Sequence, residues 1–251
     1  MYQFIHQSSF YIHIIIGSLA LIAFWLPLIA KKGSANHKKF GKVFVYSMYV
    51  VSISGVIMTM LVLMDPIAIR YPDKVLTAEQ IKNISYQHRI FSSFLFMLSI
   101  LVFCSTRHAV TVLKVQADRS QLKTMSYLLP IIFLGFMGAL MFGAGLQEDI
   151  LLFNIFGGIS FFASLGMLRY IFKAVLKQRE WLIEHLGSIF GAGIGAYTAF
   201  FAFGGRKIFS IFLSGDLQVV PWIIPSIVGI AASIYFSKKY RKQYRVEATQ
   251  N

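Results

Sequence analysis

Seven stretches of mostly apolar residues follow one another along the chain, and they constrain the fold more than any other feature of the sequence. A helix needs about 20 apolar residues to cross the hydrocarbon core of a bilayer. Because lipid offers no hydrogen-bond partner to an open backbone, each stretch is predicted to be helical. The stretches cover about residues 10–30, 42–64, 88–106, 125–146, 150–173, 182–204 and 217–237.

The composition argues against a soluble domain. Of the 251 residues, 57% are hydrophobic and only 14% are charged, whereas soluble domains carry about 25% charged residues. Most of this apolar surface is therefore expected to face lipid. We predict an all-α fold, a polytopic integral membrane bundle of seven transmembrane helices in a single domain over residues 1–251.

The segments between the apolar stretches alternate in basic charge. Residues 31–42 contain five lysines and no acid, and the third segment, the fifth segment and the C-terminal tail are also basic. The fourth segment, residues 147–149, contains acids and no base. By the positive-inside rule, the N-terminus is predicted to lie outside and the C-terminus in the cytoplasm.

The formal net charge of +14 has the same explanation. The lysines and arginines are dispersed among short segments between apolar stretches, and no soluble basic domain is available to bind nucleic acid. The predicted partner of these residues is the lipid bilayer, with anionic headgroups at the cytoplasmic face.

Five of the six histidines lie near the ends of predicted helices. His37 precedes the second helix, His108 follows the third and His185 opens the sixth, all at the predicted cytoplasmic face. Histidine is the commonest metal ligand, and three imidazoles can hold a divalent metal such as zinc with one open position. We predict a metal site formed by these three residues. The alternative for each is an interfacial side chain bonded to a headgroup or a carbonyl.

Two further histidines belong to the predicted outer face. His13 lies about one turn inside the first helix, and His88 starts the third. Histidine is also an axial ligand of haem, so His13 and His88 are the predicted cofactor-binding residues, and the cofactor stays open between haem b and a divalent metal. The charged residues at the same face are candidates for an outer cation site with them: Glu148, Asp149, Arg206 and Asp216.

Three functions are compatible with these features, and they leave open whether the protein is an enzyme. The first is a histidine-based metal or haem site at a membrane face that serves electron transfer. The second is a non-enzymatic permease or membrane assembly factor. The third is a membrane-embedded metal-dependent hydrolase, which needs an acid near the inner histidines, and Glu184 is the only one close in sequence.

The second function depends on two faces of small residues at a spacing of four. Such spacing lets helix backbones approach closely in lipid. The same faces are compatible with packing within the bundle, with a flat cofactor or with a homo-oligomer. They comprise Gly135, Ala139 and Gly143 in the fourth stretch and Gly187, Gly191 and Gly195 in the sixth.

Three short motifs recur at the predicted helices. They are His13-x-x-x-Gly17, then Gly33-x-x-x-His37-Lys38-Lys39-x-Gly41-Lys42-Val43-Phe44-x-x-Ser47-Met48, and Trp181-x-x-x-His185 before Ala196-x-x-Ala199-Phe200. They resemble the motifs of a known family of bacterial predicted membrane proteins, the domain of unknown function 2306. The resemblance implies a polytopic protein of the bacterial inner membrane with recurrent histidines, and it implies no activity. After the histidine of the sixth stretch the chain departs from the family pattern, which often has a Trp-Met pair there.

Overall fold

The computed structural model describes residues 1–204, 211–213, 217 and 220–246. Within these residues the chain is helical and contains no strand. The α-helices are α1 (Tyr2–Ile29), α2 (Ala35–Met64), α3 (Pro66–Arg70), α4 (Ala78–Val115), α5 (Met125–Gln147), α6 (Leu151–Phe172), α7 (Glu180–Ala199) and α8 (Val220–Gln243). A 3-10 turn, Ser120–Lys123, precedes α5, and a π turn, Phe200–Gly204, continues α7.

Six of the described helices are long and apolar enough to cross a membrane, namely α1, α2, α4, α5, α6 and α8. This finding supports a multi-pass membrane protein. The predicted sixth stretch corresponds to α7, which is not among the six. Its first two turns contain Glu180, Glu184 and His185, and these polar side chains lower its apolar character. A seventh crossing therefore stays a prediction.

Two helices are longer than the apolar stretches that predict them, because polar caps start them earlier. The Thr77 backbone N–H donates to Gln80 Oε1 at 2.9 Å, and the Gln80 N–H donates to Thr77 Oγ1 at 3.2 Å. This reciprocal pair is a capping box, and it begins the 38-residue α4. Ser34 caps α2 in the same way by accepting from the His37 N–H at 3.3 Å. Consequently His88 and His108 lie inside α4 rather than at its ends.

The helices form two compact units. The first comprises Met1–Phe103 and Ile132–Leu165, and the second comprises Cys104–Ile131 and Gly166–Asn251. In the first unit α1 packs along α2, and the Phe94 and Phe153 rings stack with centroids 4.8 Å apart. In the second unit α7 packs along α8, and Phe190 stacks on Phe236 at 5.9 Å.

Glycines bring α5 and α6 close together within the first unit. A Cβ built at Gly138 would lie 2.7 Å from the backbone nitrogen of Phe161 and 2.8 Å from the Gly157 carbonyl oxygen. Among the residues predicted to form packing faces, Gly135 does face a neighbour, Ser164, whereas a Cβ at Gly143, Gly187 or Gly191 would have no described neighbour within 4 Å. The spacing of four thus identifies only part of the packed surface. The role of the open glycines in a permease path or an oligomer stays a prediction.

Candidate functional site

A buried polar cluster in the second unit is centred on His108. The His108 side chain is completely buried between helices α4, α5 and α7. Its Nδ1 lies 2.8 Å from the Tyr127 hydroxyl, and its Nε2 lies 3.0 Å from Glu184 Oε1. Glu184 retains 27% of its side-chain surface, so one end of this chain of hydrogen bonds is accessible and the other is buried.

The chemistry of the partners assigns the protons. A carboxylate only accepts, so Nε2–H of His108 donates to Glu184. In the neutral imidazole Nδ1 then carries the lone pair, and the Tyr127 hydroxyl donates to it. Both ring nitrogens are therefore engaged by protein groups, and no lone pair is left for a metal in this arrangement.

A second tyrosine completes what we term the His108 cluster, consisting of His108, Tyr127, Tyr170 and Glu184. The edge of the Tyr170 ring meets the His108 ring, with centroids 5.6 Å apart and planes at 88°. The Tyr170 hydroxyl is buried and has no hydrogen-bond partner among the described residues. A buried, unbonded hydroxyl is unfavourable, so this atom is a place where a water or another small polar molecule can bind beside the imidazole.

Arginines hold the helix segments that carry the two tyrosines. Arg119 Nη1 donates to the carbonyl oxygens of Tyr170 and Ile171 at 2.8 and 3.2 Å, which satisfies the last turn of α6. The Arg107 guanidinium lies over the Tyr127 ring, 4.6 Å from its centroid. Arg107 thus positions the Tyr127 ring, and Arg119 positions the backbone at Tyr170. Neither contact involves a tyrosine hydroxyl.

His185 is bonded to the backbone of α4. Its Nδ1 lies 2.8 Å from the carbonyl oxygen of Ala109, so this nitrogen carries the proton and donates. His185 and Glu184 are adjacent in α7, and both reach α4 through hydrogen bonds. His185 therefore helps to position α7 so that Glu184 meets His108.

His37 closes the end of α1 in the first unit. Its Nδ1 donates to the Pro27 carbonyl oxygen at 3.0 Å. Lys32 Nζ donates to the carbonyl oxygens of Pro27 and Leu28 at 2.8 and 3.2 Å. The last carbonyls of a helix lack intrahelical partners, and these two side chains supply them, with the positive charge at the favourable end of the helix dipole.

The three predicted metal ligands thus have protein partners of their own. His37 belongs to the first unit, whereas His108 and His185 belong to the second. Throughout the part of the chain that the structure describes, no group of three or more His, Cys, Asp or Glu side chains is arranged to hold a metal ion. The metal site of His37, His108 and His185 stays a prediction.

His13 has a different environment in the first unit. Its Nδ1 lies 3.0 Å from Ser54 Oγ. The Ser54 hydroxyl donates to the Val50 carbonyl at 2.7 Å, so it accepts from His13, and Nδ1 carries the proton. The Nε2 of His13 then has a lone pair. A Cβ at Gly55 would clash with the Ser99 hydroxyl, whereas its distance of 3.7 Å to His13 Cε1 would be ordinary contact.

His88 contacts Tyr71 rather than His13. Its Nε2 lies 3.3 Å from the Tyr71 hydroxyl, and the two ring centroids are 5.6 Å apart. Within the described residues, His13 and His88 share no hydrogen-bond partner. Their joint role as cofactor ligands stays a prediction.

Only half of the predicted outer cation site can be placed. Glu148 accepts a short hydrogen bond from the Tyr86 hydroxyl, and Asp149 has a left-handed backbone with φ 53° in the turn between α5 and α6. Arg206 and Asp216 lie outside the described residues. Glu148 thus forms a hydrogen bond with a residue of α4.

Two important residues were not identified by the sequence. Tyr127 carries no motif, and only the fold places it beside His108. His6 is 8% exposed, and its Nε2 is buried with no partner among the described residues. A signal for His6 exists: His6, Ser9 and His13 stand at helical spacing i, i+3 and i+7, which places them on one face of α1.

Comparisons of the chain with models of protein families, with curated proteins and with solved structures found no match. The resemblance to the domain of unknown function 2306 therefore stays a prediction.

Proposed function

We propose that the protein is a seven-crossing bacterial inner-membrane protein whose activity binds and releases a proton at the His108 cluster. The observation that carries this proposal is the pair of hydrogen bonds at one fully buried imidazole, to an acid on one side and a phenol on the other. Isolated buried charges are costly, whereas this imidazole is placed to take up a proton without losing a bond.

The proton balance is simple. In the neutral state Tyr127 donates to Nδ1 and Nε2 donates to Glu184. A proton reaches Nδ1 through Tyr127: the phenol passes its own proton to Nδ1 and takes the incoming proton on its oxygen, so the hydroxyl becomes an acceptor and the Glu184 carboxylate stabilises the imidazolium. On the other side, Glu184 can accept the Nε2 proton and release it to water at its accessible end. His108 can therefore hold either charge state with both nitrogens bonded, which suits a general acid or base.

Titration of the imidazole tests this function directly. Nitrogen NMR of histidine-labelled protein in micelles should show one resonance that is lost in His108→Gln and that responds to pH. In Glu184→Gln an amide replaces the carboxylate that accepts from Nε2, so the chemical shift of this resonance should change. Glu180→Gln, which alters an acid on the same helix bonded to Lys173 instead, should leave it unchanged.

The same experiment can contradict the proposal. A His108 resonance that stays constant from acid to alkaline pH, or that is identical in Glu184→Gln and the wild-type protein, would show that the cluster is only a structural link between helices.

A second candidate function is cofactor binding at His13, which retains the electron-transfer hypothesis. The observation that favours it is the bond from Nδ1–H to Ser54, because ligating histidines usually donate the second ring N–H to an oxygen while the other nitrogen binds the metal or haem iron. A haem bound there would supply the redox chemistry, while Ser54 orients the His13 ring.

An absorption spectrum of protein purified with added haem separates this candidate from the first. We expect a Soret band that His13→Ala abolishes and His108→Ala retains. A spectrum without a Soret band, or a band that survives His13→Ala, excludes His13 as an axial ligand. Metal analysis of the same preparation tests the divalent site of His37, His108 and His185, and with it the metal-dependent hydrolase.

The proposed orientation rests on the lysines of residues 31–42 and on the acidic residues 147–149. Cysteine variants in these two segments can be labelled with an impermeant thiol reagent on intact cells. Asp149→Cys should react and Asn36→Cys should not. The native Cys104 is buried and provides little background. The opposite labelling pattern would reverse the topology.

A further inference from the structure

Two cations in the first unit, Arg70 and Lys74, lie at and just after the end of α3, with Asp73 between them in the sequence. Arg70 ends α3, and the Lys74 ammonium lies over the Tyr71 ring, 5.1 Å from its centroid. Within the described residues neither cation forms an ion pair, with Asp73 or with another acid. Cations without an ion-pair partner attract anions.

Two imidazoles border these cations. His88 Nε2 lies 3.3 Å from the Tyr71 hydroxyl. His6 lies one turn after Gln3 in α1, and Gln3 bonds to the Ala68 carbonyl oxygen of α3, so the start of α1 that carries His6 adjoins α3. His6 is more than nine-tenths buried, and its Nε2 has no partner among the described residues. A buried polar atom of this kind indicates that a bonding partner outside the protein belongs here.

The backbone around the segment is fixed before any ligand binds. Gln3 Nε2 donates to the Ala68 carbonyl oxygen at 2.8 Å, which ties the start of α1 to α3. Asp65 Oδ1 accepts from the Ala68 N–H at 2.9 Å, so this nearby carboxylate caps α3 instead of neutralising Arg70. These bonds fix the backbone of α3 next to the start of α1.

We propose that His6, Arg70, Tyr71, Lys74 and His88, here termed the α3 site, bind a phosphate group, either free or as the headgroup of an anionic phospholipid. Arginine and lysine are the side chains that recognise phosphate oxygens. Tyr71 and His88 share one hydrogen bond, which leaves one N–H or O–H of this pair to donate to the phosphate, and the His6 imidazole adds another neutral donor. The α3 site does not depend on the His108 cluster, and either proposal can fail without the other.

Binding is measured in two arms on protein purified in neutral detergent. In the first, inorganic phosphate is titrated and followed by phosphorus NMR. In the second, native mass spectrometry counts molecules of phosphatidic acid retained, with phosphatidylcholine as the neutral competitor. We expect one saturable site in at least one arm. Arg70→Gln should weaken it about tenfold or more, because one charge-assisted contact is lost.

Lys82→Gln is the matched control, since it removes one positive charge from an exposed position of α4 outside the α3 site. It should change the affinity less than about twofold. Saturation by phosphate alone identifies a soluble ligand, and retention of phosphatidic acid alone identifies a lipid headgroup. No saturation in either arm overturns the proposal, as does an equal loss in Arg70→Gln and Lys82→Gln, which would indicate nonspecific attraction. His6→Leu, which keeps both cations, should also weaken binding, and unchanged affinity would remove His6 from the site.

Discussion

Both units of the fold contain buried histidines, but the ring nitrogens of these histidines are hydrogen-bonded to different degrees. In the second unit both nitrogens of His108 are bonded, to Tyr127 and Glu184. In the first unit His13 has one bonded nitrogen, and the buried Nε2 of His6 has no partner among the described residues. A satisfied imidazole supports the fold and can exchange a proton, whereas an unsatisfied one is available to a ligand. The contrast predicts different responses to substitution.

The largest difference is expected between His108→Ala and His13→Ala. The first leaves Tyr127 and Glu184 without their partner and opens a cavity, so the free energy of unfolding should fall by about 3 kcal/mol. The second loses one hydrogen bond at a half-buried position and should cost about 1 kcal/mol. Unfolding in mixed micelles, followed by circular dichroism, measures both. Equal losses would remove the distinction between the units.

Removing single hydroxyls probes the same contrast more gently. Tyr127→Phe keeps the ring beneath Arg107 but leaves His108 Nδ1 unbonded, so it should lower the free energy of unfolding by about 1–2 kcal/mol. Tyr71→Phe removes the partner of His88 at a half-buried position where water can replace it, and it should cost less than about 0.5 kcal/mol. Thermal unfolding midpoints of the two variants give the comparison. A Tyr71→Phe variant that is the less stable of the two would contradict it.

Sequence reasoning recovers the helical class because lipid permits few alternatives. A stretch such as 125–146 has no backbone option but a helix, and α5 covers Met125–Gln147. The polar ends are harder to predict. The capping box of Thr77 and Gln80 extends α4 by about three turns beyond its apolar stretch, and hydropathy alone does not detect it.

The candidate site is less predictable, because its partners are distant in sequence. His108 is noticeable as a histidine near an apolar stretch, but its hydrogen bond to Glu184 spans 76 positions. Only the packing of α4 against α7 shows that the two residues meet. Metal ligation was a reasonable expectation for three histidines, whereas the structure gives each of them a separate hydrogen-bonded role. Sequence alone does not distinguish a ligand from a cap.

His6→Leu should have the opposite sign to the substitutions at His108. Leucine has a similar volume and carries no polar atom, so it removes a buried nitrogen that lacks a partner. We expect the free energy of unfolding to rise by up to about 1 kcal/mol in phosphate-free micelles. His108→Leu under the same conditions should lower it. A loss of stability in His6→Leu would mean that His6 is already satisfied without a ligand.

The smallest effect concerns Glu180, an acid of the second unit that is bonded but only partly buried. Burial alone would raise the pKa of Glu180 above its usual 4.5. The hydrogen bonds from Lys173 Nζ at 2.6 Å and from the Lys177 N–H at 2.7 Å, together with the charges of Lys173 and Arg241, lower the pKa by more than burial raises it. The net pKa therefore lies below 4.5. A lowered pKa in the folded state adds stability above the unfolded pKa, and this stability is lost as the pH falls through the folded value.

We therefore expect the wild-type protein to lose less than about 1 kcal/mol of unfolding free energy as the pH falls below 4.5, since the pair is partly exposed. Glu180→Gln should flatten this dependence, and Lys173→Met should reduce it. Glu79→Gln, at an exposed acid of α4 without an ion pair in the described structure, should leave it intact. If Glu79→Gln flattens the pH dependence of the unfolding free energy equally, the acid sensitivity reflects the net charge of the protein. The hydrogen bonds of individual polar side chains would then no longer explain a difference between the second unit and the first.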